Sequence, residues 1–282
     1  MRLSLRVAVG LSILSFSAGC ATGAVGRAET GMAKALISDQ QESQLGDQVH
    51  QQLEKQGTKY VTDPVVVSYV KGVADRVLAS AKTDRPGVTW SIYVIDDPKT
   101  VNAFATPGGN LYVYTGLLLA AGNEAELAGV WGHEAGHVVA HHSARQMVDA
   151  YGLEAVLGLA LGQNPGLIAQ LGSSLAVKGT MLAHSRGDED QADEYGARYA
   201  SAAGYDPHQL IEFFRKLEAL QGKSPRAMQW ISDHPLTQNR IAHLQTFIQQ
   251  NNLGGSDVGA ARLAPIKQRL GNSQPLAPRT SG

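Results

Sequence analysis

The stretch His133-Glu134-Ala135-Gly136-His137 decides how the rest of this chain is interpreted. On an α-helix, residues four apart share a face, so the imidazoles of His133 and His137 can reach one metal ion. Glu134 is turned about 100° from His133 around the helix axis and lies beside the ligands, where a general base belongs. A solvated polar face is the competing interpretation. The residues that flank the motif are apolar, which predicts a buried helix, and buried histidines need partners.

A catalytic zinc site needs a third protein ligand and one open position. The metzincin pattern would place a third histidine at position 143, but this residue is Ser143, so that class is excluded. The alternative is a glutamate on a separate helix, and Glu189 supplies one. Asp193 lies one turn further along the same face, where it can accept the N–H of a ligand histidine and fix its tautomer. A solvated acidic face is the competing interpretation of this run, and three neighbours are assigned to such a face: Asp188, Asp190 and Glu194.

Composition limits the chemistry that is open to the chain. It has 282 residues, 24 Lys+Arg, 25 Asp+Glu, 9 His and one Cys, with a net charge of −1. This balance argues against a nucleic-acid-binding protein, which would need a basic excess. The single cysteine excludes an intramolecular disulfide framework and every zinc site with two thiolates, so metal ligands must be histidines and carboxylates.

The N-terminus explains the single cysteine. Arg2 and Arg6 precede a short apolar run and then small residues that end at Cys20, which is typical of a secretory signal. The run is too short for a transmembrane helix. Ala-Gly-Cys resembles a bacterial lipobox, although Ser17 stands where that motif usually has Leu. We therefore expect a lipoprotein signal peptide over residues 1–19, lipidation at Cys20 and a tether over 20–37; an ordinary secreted protein cut nearby is the alternative.

The remaining patterns predict an α+β, mainly helical domain over residues 38–250. Helices are expected at 37–56 (with Glu42, Gln44 and His50 on the exposed face), 65–81, 125–142, 188–203, 207–220 and 236–250. Strands at 90–95 and 111–114 are expected to form a hairpin-like unit beside the metal helix. Helical segments at 153–161 and 167–182 suggest a hairpin or lid over the cleft. Residues 251–282, rich in Gly and Pro, are expected to be a flexible tail.

Four blocks, in their order and spacing, carry a resemblance to a known family. They are Asn102-Ala103-Phe104-Ala105-Thr106-Pro107-Gly108-Gly109, Gly132 to His137, Ser185-Arg186 with Glu189, Ala192 and Asp193, and His234-Pro235 with Arg240-Ile241. Over residues 40–250 the chain resembles the HtpX and CAAX-prenyl-endopeptidase-like zinc metallopeptidases, which are gluzincins, and is most similar to their LoiP- and BepA-like periplasmic lipoproteins. The resemblance implies a zincin-like fold with one Zn²⁺ per chain, held by His133, His137 and Glu189.

The same resemblance implies a function. It implies a zinc-dependent endopeptidase of the bacterial envelope that cleaves misfolded or misassembled proteins, with Glu134 as the base. It suggests that His234 faces the zinc, either to stabilise the oxyanion or to occupy the fourth position as an off-switch. Arg240 would then steady that charge or the substrate. Because Ala21 follows Cys20, the expected address is the periplasmic side of the outer membrane, with outer-membrane assembly factors among the partners.

Two further expectations concern the surroundings of the site. Residues Asn102, Ala103, Phe104 and Ala105, together with the strand at 111–114, suit an exposed sheet edge that binds an extended peptide substrate through main-chain hydrogen bonds. A plain structural hairpin is the competing interpretation. His141 and His142 are expected to be bystanders, because His141 lies about 5.4 Å beyond His137 along the helix axis.

A different class of function also fits these residues. The chain would then be a latent or non-catalytic zinc-binding lipoprotein, a chaperone or scaffold in outer-membrane assembly. A complete ligand set together with Glu134 favours the enzyme, because a structural zinc needs no general base.

Overall fold

The computed structural model describes residues 37–152, 154, 166, 184–220 and 228–272. In this part of the chain, helices surround one three-stranded sheet, which confirms the mainly helical α+β class. The signal peptide, Cys20, the rest of the tether before residue 37 and most of the expected lid lie outside the described residues. Among the helices that are described, none is both long and apolar enough to cross a bilayer.

Among the described elements, six helices and two strands have bounds close to the predicted ones, except that the helix expected over 125–142 ends at Val139; four helices and one strand were not predicted. The helices are α1 (Asp39–Lys55), α2 (Pro64–Asp84), α3 (Thr115–Ala120), α4 (Glu124–Val139), α5 (His142–Tyr151), α6 (Arg186–Ala202), α7 (His208–Leu220), α8 (Met228–Asp233), α9 (Gln238–Gln250) and α10 (Ala260–Asn272). The strands are β1 (Ser91–Ile95), β2 (Ala103–Ala105) and β3 (Asn110–Tyr114).

Side-chain caps fix where the two central helices begin. The Asn123 side chain accepts a hydrogen bond from the Glu126 N–H at the start of α4. Ser185 does the same for Asp188 at the start of α6, and the Asp188 carboxylate accepts the Ser185 N–H in return. Such caps satisfy N–H groups that have no partner within the helix. Local residues therefore determine where both helices begin.

Helices α4 and α6 pack closely because small residues line their contact. A Cβ atom on Gly132 would lie 2.9 Å from the Cα of Gly196, and one on Gly136 would lie 2.7 Å from the Cβ of Tyr195. Distances this short exclude any larger residue without a backbone shift. Because the backbones can approach so closely, the motif on α4 faces the acidic residues on α6.

The sheet has the order β1-β3-β2, and its pairing corrects one expectation. Strand β1 runs parallel to β3, with Tyr93 opposite Tyr112, whereas β2 runs antiparallel to β3, with Phe104 opposite Tyr112. The hairpin expected between 90–95 and 111–114 is therefore wrong, since β3 forms its hairpin with β2. With only three residues, β2 is too short for an alternating pattern to reveal it. In the described sheet β3 is central, so the 102–105 segment supplies the edge.

The exposed face expected for α1 is wrong at Glu42. This side chain is only 3 % exposed, and its carboxylate lies 3.0 Å from Arg85 Nη2 and 2.8 Å from His141 Nδ1. Arg85 also donates a hydrogen bond to the carbonyl oxygen of Val138 at the end of α4. Glu42 is buried because partners distant in the chain compensate its charge. His50, on the same helix, stacks on Tyr93 with ring centroids 4.2 Å apart.

The flexible tail expected for 251–282 is wrong for residues 260–272, which form α10. Leu263, Ile266 and Leu270 of this helix are buried and join the core that contains α2 and α4. Arg262 adds an ion pair to the buried Glu124 at 2.7 Å. Apolar residues at a spacing of three and four give this segment one face to bury. Residues 273–282 lie outside the described part of the chain.

We predict that Leu263→Ala lowers the free energy of unfolding by about 2–5 kcal/mol, because it leaves a cavity in the core. Denaturant unfolding monitored by circular dichroism measures the change. The matched control is Gln268→Ala, an exposed position on the same helix, which should leave stability nearly unchanged. Equal stability of the Leu263 variant and wild type would mean that α10 does not dock.

Candidate active site

Four side chains from three parts of the chain converge at the contact between α4 and α6. His133 and His137 come from α4, Glu189 comes from α6, and His234 follows α8; all four are buried. The two Nε2 atoms of His133 and His137 lie 3.0 Å apart. Glu189 places Oε2 3.6 Å from His133 Nε2 and Oε1 3.5 Å from His137 Nε2. The predicted ligands therefore meet at one point.

The separations between these atoms fit a metal ion. An ion held tetrahedrally with bonds of about 2.0–2.1 Å separates its ligand atoms by about 3.3 Å. The observed separations, 3.0–3.6 Å, bracket that value. Glu134 is also buried there, and its Oε1 has no hydrogen-bond partner among the described residues. Imidazole nitrogens with a carboxylate are a suitable donor set for a divalent ion.

His234 lies among the ligands. Its Nδ1 is 3.2 Å from His133 Nε2 and 3.1 Å from Glu189 Oε1, and its Nε2 is 3.5 Å from Glu134 Oε1. Burial lowers the pKa of His234, but the neighbouring charges of Glu189 and Glu134 outweigh it and raise the pKa to about 9 in the metal-free chain. The side chain thus belongs to the same four-residue group as the predicted ligands.

Asp193 and Arg240 support the ligands from behind. Asp193 Oδ1 lies 2.9 Å from His133 Nδ1, which is the position expected of a residue that orients this ring. Arg240 donates to both oxygens of Asp193 at 2.8 and 2.9 Å, and its Nη1 lies 2.8 Å from Glu189 Oε2. Arg240 also donates to the carbonyl oxygen of Pro235, and its guanidinium lies over the ring of Phe214, 5.1 Å from the centroid. Arg240 therefore contacts two carboxylates of the candidate site, and its expected role at the oxyanion or the substrate stays a prediction.

Two carboxylates of the site are shifted in opposite directions. Burial by itself raises the pKa of Glu189, but the charges of His234 and Arg240 reverse the effect and hold the pKa well below its usual range. Burial raises the pKa of Glu134 to about 8. In the metal-free chain Glu189 is therefore ionised, whereas burial favours the protonated form of Glu134.

The assignment of His142 as a bystander is wrong. Its Nδ1 lies 2.8 Å from His137 Nδ1, and the ring is fully buried. On a continuous helix, residues five apart point about 140° away from each other. Helix α4 instead ends at Val139, and His141 adopts a positive φ of 56°, so α5 begins at His142 and turns its ring back to the ligand.

Two further residues lie on this side of the site. The ring of His184, whose position just before Ser185-Arg186 in the sequence allows it to lie near the site, stacks on His137 with centroids 3.9 Å apart. Asp188, expected on a solvated face, is buried, and its Oδ1 accepts a hydrogen bond from Arg145 at 2.5 Å. Nothing in the sequence around Asp188 signals its burial.

The edge strand β2 offers its main chain rather than its side chains. Asn102 is buried and donates to Asp233 Oδ2 at 2.9 Å, while its own Oδ1 accepts the N–H of Ala103. Phe104 is buried too and stacks on Tyr112 with ring centroids 4.5 Å apart. The N–H of Ala105 stabilises the charged form of Glu134. The end of β2 therefore lies next to the candidate base.

Comparisons with known proteins agree with this geometry. The model of the family described as Peptidase family M48 matches residues 66–248, more than half of the chain, and this range contains the ligand group, Glu134, Asp193 and Arg240. The chain is similar to mitochondrial metalloendopeptidase OMA1 of Schizosaccharomyces pombe, with 33 % identity over 64 % of this chain and 53 % of the relative. It is also similar to the beta-barrel assembly-enhancing protease of Escherichia coli, with 27 % identity over 77 % of this chain and 46 % of the relative. The chain thus spans about half the length of these relatives.

We predict that Arg240→Met lowers the free energy of unfolding of the metal-free protein by about 3–5 kcal/mol, because it removes the guanidinium that bridges the buried carboxylates of Glu189 and Asp193. Urea unfolding in the presence of a chelator measures this. Arg198→Met removes a half-exposed ion pair with Asp84 and is the matched control, with an expected cost below about 1 kcal/mol. Similar costs for the two variants would contradict the supporting role of Arg240.

Proposed function

This chain belongs to peptidase family M48, and we propose that it is a zinc-dependent endopeptidase of the bacterial cell envelope that cleaves misfolded or misassembled proteins. The observation that carries the proposal is Glu134, buried beside His133, His137 and Glu189 with one carboxylate oxygen that has no hydrogen-bond partner among the described residues. A metal site that only stabilises a fold needs no such group.

The proposed reaction is hydrolysis of a peptide bond by a water molecule. Zn²⁺, when bound by His133, His137 and Glu189, lowers the pKa of water towards about 7 and polarises the scissile carbonyl. Glu134 accepts the proton of the attacking water and later delivers it to the leaving amine. Asp193 and Arg240 keep the ligands in place throughout, because both are buried and fully engaged.

The proposed substrate is an extended segment of polypeptide. Strand β2 is the edge next to Glu134, and a peptide added there would pair through main-chain hydrogen bonds. The side chains of Asn102 and Phe104 are directed into the protein and are occupied by their own contacts. Recognition would therefore depend little on substrate sequence, which suits a protease for unfolded chains.

We further propose that the described arrangement is latent. Catalytic zinc sites keep one position open, whereas four protein ligands close the coordination sphere. His234 is placed to be the fourth ligand, and it is held by packing against Trp230, with ring centroids 4.9 Å apart. The neighbouring Asp233 is tied to Asn102 at the start of the edge strand. Displacement of His234 would open the site.

The cellular setting is also a proposal. Lipidation at Cys20 would anchor the chain to the outer membrane on its periplasmic side, and a protease named for β-barrel assembly is among its relatives. Outer-membrane assembly factors are therefore the proposed partners, and no nucleic acid is expected. The second candidate, a non-catalytic zinc-binding chaperone or scaffold, is favoured by one observation, the His234 side chain within the ligand group.

We predict that Glu134→Gln retains one zinc per chain but lowers the cleavage rate of unfolded casein by about 100-fold or more, because the amide cannot accept the water proton. Zinc content is measured by mass spectrometry and cleavage by gel electrophoresis. Glu212→Gln, an exposed glutamate on α7, is the control and should cleave as wild type does. Undiminished cleavage by the Glu134 variant would exclude this mechanism, and a wild type that binds zinc without cleaving would favour the scaffold.

We predict that His234→Ala raises the basal rate of casein cleavage several-fold, because it vacates the fourth ligand position while His133, His137 and Glu189 remain. Initial rates at equal zinc content measure the effect. His243→Ala, which removes an exposed imidazole from α9, should leave the rate unchanged. A lower rate in the His234 variant would favour the oxyanion role over latency.

A further inference from the structure

The outer nitrogen of the ligand His137 faces a second histidine rather than a carboxylate. His142 Nδ1 lies 2.8 Å from His137 Nδ1, on the side of the ring away from the ligand group. We infer that His142 is a positioning residue that fixes the tautomer and the ring orientation of His137. This inference rests on the proposed metal site.

The proton positions follow from the contacts in order. A histidine nitrogen that binds a metal carries no proton, so a neutral His137 that binds through Nε2 has its proton on Nδ1. That proton is donated to His142 Nδ1, which must therefore be an acceptor. The proton of His142 is then on Nε2, which lies 3.1 Å from Gln191 Oε1, an acceptor. Metal binding at Nε2 of His137 would therefore select one tautomer for each of the two rings.

The partners of His142 come from the helix that supplies Glu189. Gln191 lies on α6, and so does Asp188, whose Oδ1 is 3.6 Å from His142 Nε2. Arg145 pairs with Asp188 from α5. His142 therefore lies between His137, near the end of α4, and the first turns of α6. Its ring is fully buried, so water cannot replace it as an acceptor.

The two ligand histidines are thus supported in different ways. His133 donates to an aspartate that Arg240 holds, whereas His137 donates to a neutral ring that an amide holds. A carboxylate raises the basicity of a ligand imidazole more than a neutral acceptor does. His137 is the more weakly supported ligand, and loss of its acceptor would leave a buried N–H group without a partner.

A second metal ion is the competing interpretation of these residues. His137, His142 and His184 form another group with nitrogen atoms close together. His137 already directs Nε2 into the first group, so a second ion at Nδ1 would require its ring to bridge two metals, whereas the 2.8 Å contact between the Nδ1 atoms needs only one shared proton. The contact favours a hydrogen bond, and one zinc per chain.

The first test compares two substitutions of His142 by their affinity for zinc. His142→Phe keeps an aromatic ring but removes the acceptor, so the dissociation constant for zinc should rise about 10–100-fold. His142→Asn can place its amide oxygen near the position of Nδ1 and should bind zinc within about threefold of wild type. Competition with a chromogenic chelator gives the dissociation constants. The visible spectrum of the Co²⁺-loaded His142→Phe protein should differ from that of wild type, whereas the spectrum of His142→Asn should match it.

An exposed histidine on α9 offers a matched control. His243→Phe makes the same substitution at an exposed histidine and should change neither the affinity nor the spectrum. Wild-type affinity in His142→Phe would overturn the inference while leaving the proposed function intact. A wild-type chain that binds no zinc would instead overturn the proposed function. Two zinc ions per wild-type chain would show that His142 is a ligand, which also overturns the inference.

A second measurement does not depend on the folding of any variant. Nitrogen-15 spectra of histidine side chains in the zinc-loaded wild type report which ring nitrogen carries the proton. We expect the proton on Nδ1 for His137 and on Nε2 for His142. A proton on Nδ1 of His142 would overturn the inference, because that nitrogen could not then accept from His137.

Discussion

The close contact between α4 and α6 is the constraint on which the rest of the structure depends. Gly132 and Gly196 let the two backbones approach to a distance that any side chain would prevent. At that distance the imidazoles of one helix meet the carboxylates of the other. Both helices begin at side-chain caps, so their registers are fixed independently. The contact then decides which residues face each other, and the ligand group follows from it.

This contact requires charged groups to be buried, and the surroundings compensate them. Isolated ions cannot leave water without a large penalty, so buried carboxylates need partners. Arg240 satisfies Asp193 and Glu189, while His234 balances the charge that remains in the metal-free chain. A bound divalent ion would take over much of that balance.

Elements outside the site hold the ends of the metal helix. Arg85 pairs with Glu42 and donates a hydrogen bond to Val138 at the end of α4. Glu42 also pairs with His141, the residue with positive φ between α4 and α5. At the other end of α4, the carboxylate of Glu124 accepts hydrogen bonds from Tyr69, Tyr205 and Arg262, and Arg262 lies on α10. Side chains of the first and last described helices thus form ion pairs at the two ends of α4. The position of His142 beside His137 depends on this end of the helix.

The sequence by itself determined the chemistry of this protein, and the tertiary structure decided how that chemistry is held. Local spacing predicted the two histidines, Glu134, Glu189 and Asp193, because four-residue spacing on a helix is independent of the rest of the fold. It also predicted most helices, since their caps and apolar faces are local. It did not reveal the parallel pairing of β1 with β3, the docking of α10, the burial of Glu42 and Asp188, or the contacts of Arg240 and His142. Each of these features depends on a partner that is distant in the chain or on a break in a helix. A charged side chain can be buried only where the tertiary structure supplies a compensating partner.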